Sequence, residues 1–236
     1  MKTKVDVYGD SILKGVIYNS ETGRYEVCAE KGVDALCAEY GIELFNRSKF
    51  GYTVSDGMNL FSRDVSRGAL KGDYVLLEYG GNDSNFRWAE ISENPDKKHD
   101  PNTALEQFTT TLSTMIEQVR AMGKTPLLMT LPPVDGDKYL DFLSRSYDRE
   151  HILKWLGDAN MIHRYQEMYS LAVMKLAYKT NTLLCDVRSA FLSRRNYKKL
   201  LCEDGLHPTP KGQALIINTF YRFLHARQKD PAGATV

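Results

Sequence analysis

The sequence predicts an α/β fold built on a parallel sheet covered by helices on both faces, and three observations carry that prediction. Short apolar or alternating runs at residues 5–8, 42–45, 73–79, 125–131 and 182–187 read as strands. Segments with apolar residues at helical spacing lie between them. The run at 73–79, Asp-Tyr-Val-Leu-Leu-Glu-Tyr, has the continuous apolar centre of a strand buried on both faces, as parallel sheets require. Strands alternating with helices imply right-handed βαβ units, and in such sheets ligands bind beyond the carboxyl ends of the strands.

Taken in order, the first strand alternates through Val5, Val7 and Tyr8 and stops at Gly9-Asp10-Ser11. Ser11 then has two readings, a cap whose hydroxyl accepts from a coming helix or a nucleophile facing that helix's N–H groups. Residues 19–25 are polar, and Val27, Val33, Leu36, Cys37 and Tyr40 suggest a helix over 27–40 ended by Gly41. The second strand runs into the loop Asn46-Arg47-Ser48-Lys49-Phe50-Gly51-Tyr52-Thr53, followed by a helix over 55–68 that Ser55 is placed to cap. The third strand breaks at Gly80-Gly81-Asn82-Asp83, and 84–100 is turn-rich, with Phe86 and Trp88 as its large aromatics.

Leu105, Phe108, Leu112, Met115, Ile116 and Val119 mark the next helix, ending near Gly123. The fourth strand meets Pro132-Pro133. No strand pattern appears over 134–160, where Tyr139, Phe142, Ile152 and Trp155 anchor what reads as an inserted helical excursion. A helix over 161–180, the fifth strand and a closing helix over 211–224 complete the chain. No repeat, linker or low-complexity tract interrupts it, so 1–236 reads as a single domain.

Composition bounds the function. A chain of 236 residues with 42% hydrophobic and 26% charged residues is an ordinary globular protein. Its formal net charge of +1 gives no concentrated basic face for nucleic acid, since Arg194-Arg195 and Lys198-Lys199 are short surface clusters. No run approaches the ~20 apolar residues that span a bilayer, and no apolar leader is present, so no membrane partner and a cytoplasmic location are expected. The four cysteines match no zinc spacing. Were Cys28 and Cys37 on one helix they would lie ~13 Å apart along it, which forbids a disulfide, and buried thiols are expected.

The loops after the strands hold Ser11, Gly51, Asn82 and the segment Asp204-Gly205-Leu206-His207-Pro208. Singly each reads as a cap or turn residue. Together they supply what acyl transfer needs: a hydroxyl nucleophile, an imidazole base, a carboxylate to orient it and converging oxyanion donors. Pro208 keeps His207 out of the helical region, and Thr209 with Pro210 can start the closing helix, so the base would stand on a braced loop.

These four blocks, Gly9-Asp10-Ser11, the 46–53 loop, Gly80-Gly81-Asn82-Asp83 and 204–208, resemble in order the conserved blocks of the SGNH, or GDSL, hydrolases. The resemblance implies a three-layer α/β/α flavodoxin-like fold with a five-stranded parallel sheet and no metal or organic cofactor. It implies Ser11 as nucleophile, His207 as base and Asp204 as its partner. The Ser11 and Gly51 backbone N–H groups and the Asn82 side chain would form the oxyanion hole. Ile12 stands where the eponymous motif has leucine. The α/β-hydrolase elbow is absent, because Leu13 occupies the place of its second glycine.

A metal site at Cys202, Asp204 and His207 is the rival chemistry. Phe86, Trp88, Tyr139, Phe142 and Trp155 are candidates to line the substrate pocket, or else to pack the excursion against the body. The expected substrate is a small ester, acetyl being favoured, with a carbohydrate as a candidate carrier and fourteen tyrosines suiting sugar surfaces. A lipase or thioesterase for longer chains and an idle acyl-ligand binding protein are the alternatives. Oligomeric state is not legible.

Overall fold

Strand β1 (Thr3–Gly9) pairs in parallel with two neighbours, and the sheet grows outward from it. In the computed structural model, which describes residues 2–28 and 33–229, the other sheet strands are β4 (Ile42–Asn46), β5 (Tyr74–Glu78), β6 (Thr125–Met129) and β7 (Leu183–Cys185). Their order is β4-β1-β5-β6-β7, all parallel, which is the flavodoxin-like arrangement. A separate antiparallel hairpin pairs β2 (Val16–Asn19) with β3 (Arg24–Val27).

Period-two alternation sends successive side chains to opposite faces and so divides the core. Tyr8, Val75, Leu77 and Leu128 face one layer of helices, α2 (Val54–Ser66), α4 (Leu105–Ala121) and α7 (Asn160–Lys179), where Phe61, Phe108 and Tyr169 are fully buried. Val5, Val7, Leu76, Leu127 and Met129 face the other, α1 (Val33–Glu39), α8 (Val187–Leu192) and α9 (Pro210–Lys229). A third cluster gathers α3 (Trp88–Glu93), α5 (Gly136–Leu143), α6 (Arg149–Leu156) and the start of α7 around Phe86, Trp88 and Tyr139. Helices α5 and α6 thus fall within the stretch 134–160.

Several local expectations are corrected. The expected helix over 27–40 is replaced by the hairpin and the shorter α1, with residues 29–32 of that expectation outside the described ones. Arg24, Tyr25, Glu26 and Val27 pair with Asn19, Tyr18, Ile17 and Val16 across a turn, so a strand pattern occupies what reads as a polar stretch and a helix start. Cys28 follows β3 and shares no helix with Cys37, although all four cysteines are buried. Thr53 caps α2 in place of Ser55: extended Thr53 accepts from the Asp56 N–H, and Asp56 accepts from the Thr53 N–H. Ser55 lies inside the helix. Among the described residues no helix is long and apolar enough to cross a membrane.

Helix α2 lies against Tyr79, the residue after β5, through Gly57. A Cβ there would stand 2.2 Å from Cζ of Tyr79. Gly57→Ala is expected to destabilise the protein by about 1–3 kcal/mol through overpacking. A denaturant midpoint equal to wild type would refute this contact as a constraint.

Candidate active site

The sheet order reverses between β1 and β5, because the chain goes from β1 to β4 on one side and then returns to β5 on the other. A crevice forms where successive connections leave in opposite directions. Ser11 follows β1 and Asn82 follows β5, so both sit at that point.

No helix begins at Ser11, which overturns both the helix-capping reading and the idea of a helix N-terminus behind it. Residues 11–15 instead form a turn leading into β2. Asp10 starts it by accepting the Ile12 N–H at 2.8 Å, the Val16 N–H closes it on the Ser11 carbonyl, and Gly15 takes φ +79°. Asn46 donates to the Leu13 carbonyl from one side, and Gln213 of α9 donates to the Ile12 carbonyl from the other. The hydroxyl is thus held on a short, braced turn.

The segment 204–208 is braced independently. Leu201 and Pro208 form an antiparallel bridge, the Cys202 N–H donates to the His207 carbonyl at 2.7 Å, and Thr209 caps α9 through the Gly212 N–H. Gly205, at φ +72°, accepts the Asp135 N–H and ties the loop to α5. Asp204 Oδ1 accepts the N–H groups of Leu206 and His207, leaving Oδ2 2.6 Å from His207 Nδ1. His207 Nε2 lies 2.8 Å from Ser11 Oγ. Ser11, His207 and Asp204 are all buried. Serine, imidazole and carboxylate thus stand in one line across 196 residues of sequence.

Of the expected oxyanion donors, Gly51 takes φ +76° on the loop after β4, and its N–H has no acceptor among the described residues. Asn82 Nδ2 donates to Asp10 Oδ2 at 3.1 Å and to the Tyr52 carbonyl at 3.0 Å, which fixes its amide beside the serine turn. Cys202 is engaged elsewhere, its thiol pointing to the Pro208 carbonyl, and no metal-binding group of three or more residues occurs among the described ones.

A cavity of about 80 Å³ opens beside Ser11 and His207. Phe86, Trp88 and Tyr139 line it, and Trp88 Nε1 and Asn85 Nδ2 each donate to the Tyr139 hydroxyl at 3.0 Å. Phe142 and Trp155 do not line it. Phe142 packs on Tyr18 in the hairpin, and Trp155 supports the wall from behind, stacked on Tyr165 and edge-on to Phe86. Sequence reasoning missed Tyr25 and Phe50, whose rings lie 5.0 and 6.0 Å from the His207 ring and cover it. The alternation of residues 24–27 was the available signal for the first. It also missed Glu78, Tyr165 and Gln166 in the cavity wall.

Fold and geometry together describe a three-layer α/β protein with a serine, an imidazole and a carboxylate aligned at the switch point of its sheet. The model of the GDSL-like lipase/acylhydrolase family matches residues 7–215, and the chain belongs to that family of carboxylic ester hydrolases. An acetylxylan esterase from Geobacillus stearothermophilus is 24% identical over 192 residues, 80% of this chain and 75% of that protein. Among solved structures, a lipase/acylhydrolase from Enterococcus faecalis superposes with a TM-score of 0.67 at 19% identity, covering 95% of this chain and 96% of the other. LAE5, an α/β hydrolase from the metagenome of Lake Arreo, has a TM-score of 0.66 at 22% identity, covering 94% and 95%. At these identities the structures speak to the fold.

Next to Asn82, Asp83 is fully buried, and both its oxygens accept the Val54 N–H at the start of α2. Burial pushes its carboxyl up to about 6, against an ordinary 3.8. Between those values the native state binds this proton more tightly than the unfolded chain, so its contribution to stability grows as pH falls through about 6 and is complete below about 4. Relative to Asp83→Asn, the wild-type denaturant midpoint is therefore expected to rise as pH falls across that window. A difference that does not change with pH would refute the shift.

Proposed function

We propose that the protein hydrolyses a small acyl ester, acetyl being favoured, by covalent catalysis through Ser11. The observation that carries this reading is the line from Ser11 Oγ to His207 Nε2 at 2.8 Å and from His207 Nδ1 to Asp204 Oδ2 at 2.6 Å, beside a small cavity. A neutral hydroxyl is a weak nucleophile at physiological pH, so removal of its proton is the contribution required of His207. As Ser11 Oγ bonds to the carbonyl carbon, its proton passes to Nε2. The buried Asp204 carboxylate stabilises the imidazolium and fixes the tautomer.

The oxyanion that develops is held by the Ser11 and Gly51 backbone N–H groups and by the Asn82 amide, which must turn a hydrogen from its resting acceptors toward the substrate. Collapse of the intermediate expels the alcohol, which takes the proton from His207. Water then attacks the acyl-serine with His207 again as base, releasing the acid and restoring Ser11. No metal or organic cofactor enters these steps.

The substrate reading rests on shape. About 80 Å³ is well below the ~300–1,000 Å³ of pockets that enclose drug-sized ligands, and Phe86, Trp88 and Tyr139 close its wall. The acyl group then points inward, and the alcohol points outward past the Tyr25 and Phe50 rings. Aromatic rings suit the faces of a carbohydrate, and the relative at 24% identity is an acetylxylan esterase.

Two outcomes test this. Ser11→Ala should keep the wild-type unfolding midpoint and lose at least ~10³-fold in kcat/KM on a chromogenic acetyl ester; retained turnover would overturn the nucleophile assignment. On esters of graded chain length, the rate should fall steeply beyond short acyl groups. A rising rate would favour the longer-chain reading.

A further inference from the structure

Two carboxyl side chains meet beneath the Ser11 turn, and the hydrolytic steps above use neither. The register of β1 against β5 places Gly9 opposite Glu78, so Asp10, the next residue, lies over the Glu78 side chain. Both residues are 1% exposed. The Asp10 N–H points to Glu78 Oε2 at 3.4 Å, and the two carboxyls are within hydrogen-bond reach of one another. A Cβ on Gly9 would stand 2.9 Å from Glu78 Oε2, so glycine is what permits the approach.

Nothing cationic balances the pair. Among the described residues neither carboxyl forms an ion pair with lysine or arginine. The titratable groups facing them are Asp83 and Tyr79 from the loop and strand end of β5 and His207 from the last loop. Two carboxylates this close in a buried site cannot both be ionised, so one proton stays with the pair. The hydrogen bonds say where. Asp10 Oδ1 accepts the Ile12 N–H and Oδ2 accepts Asn82 Nδ2, which favour its anion, whereas Glu78 Oε1 is buried without any partner. Burial pushes both carboxyls up, Asp10 to about 6 and Glu78 well above the ordinary range.

We propose that Glu78 keeps its proton at neutral pH and donates it to Asp10, making Glu78 a positioning residue that holds Asp10 as the acceptor for the Asn82 amide and the Ser11 turn. The proton leaves to bulk solvent at alkaline pH. The two like charges then repel, Asp10 shifts off Asn82, and the oxyanion donor loses its orientation. This second consequence rests on the ester hydrolysis proposed above, whereas the location of the proton does not.

The test has two readouts. Infrared spectra of wild-type protein grown with side-chain 13C-labelled glutamate should show, at neutral pH, a protonated-carboxylic-acid carbonyl band that shifts with the label. The band should persist in Ser11→Ala, vanish in Glu78→Gln and titrate away at alkaline pH. No label-sensitive band in the wild type at neutral pH would overturn the proposal, and this needs no variant to fold. On an acetyl ester, the wild-type kcat/KM should fall at alkaline pH, and Glu78→Gln, whose amide can still donate to Asp10, should lose that limb. An unchanged limb in Glu78→Gln would overturn the positioning role. If no ester is turned over, the hydrolase mechanism fails while the infrared band still decides where the proton lies.

Discussion

Parallel pairing of β1 with both β4 and β5 is the constraint on which the rest of this molecule depends. A parallel neighbour on each side buries β1 from Val5 to Gly9, and Val5, Val7 and Tyr8 supply apolar contacts to both faces at once. The connections after β1 and after β5 then emerge side by side at one end of the sheet. Ser11 and Asn82 are brought together by that geometry, from loops far apart in the chain. His207 is added from a segment held between the start of α5 and α9, through the Leu201–Pro208 bridge and the Gly205–Asp135 hydrogen bond.

The position has an electrostatic cost. Asp10, Glu78, Asp83 and Asp204 are all essentially inaccessible within the same crevice. Three of them are met by backbone or side-chain donors in place of a lysine or arginine. Asp204 takes two N–H groups and the imidazole, Asp83 takes the N–H at the start of α2, and Asp10 takes Ile12 and Asn82. Carboxyl groups held by oriented dipoles keep their geometry more strictly than those paired with a long flexible ammonium.

Around this rigid centre, the walls come from the two most irregular parts of the chain. The excursion of α5 and α6 packs Tyr139 against Trp88 and Phe86 to close the inner side, while the β2–β3 hairpin lays Tyr25 over the His207 ring at the mouth. Both additions leave the five-stranded sheet untouched, as expected where loops set selectivity and the sheet sets the chemistry.

The sequence by itself determined the sheet, the helical layers and the chemical groups of the site. Continuous apolar strands, helical periodicity and short motifs at strand ends are local patterns, and local patterns survive in one dimension. Thus the run at 73–79 announced a buried strand, and Asp204 through His207 announced a carboxylate within one turn of an imidazole. The hairpin was lost because its alternation is short and polar, and Ser55 looked like a cap because the extended backbone of Thr53 is invisible in sequence. What only the tertiary structure decided were relations across distance: that Ser11 meets His207 across 196 residues, that Phe142 and Trp155 lie off the cavity, and that Glu78 lies against Asp10. The physical reason is strand register and crossover. Which residues of neighbouring strands stand opposite is set by pairing between remote segments, and no spacing along the chain encodes it.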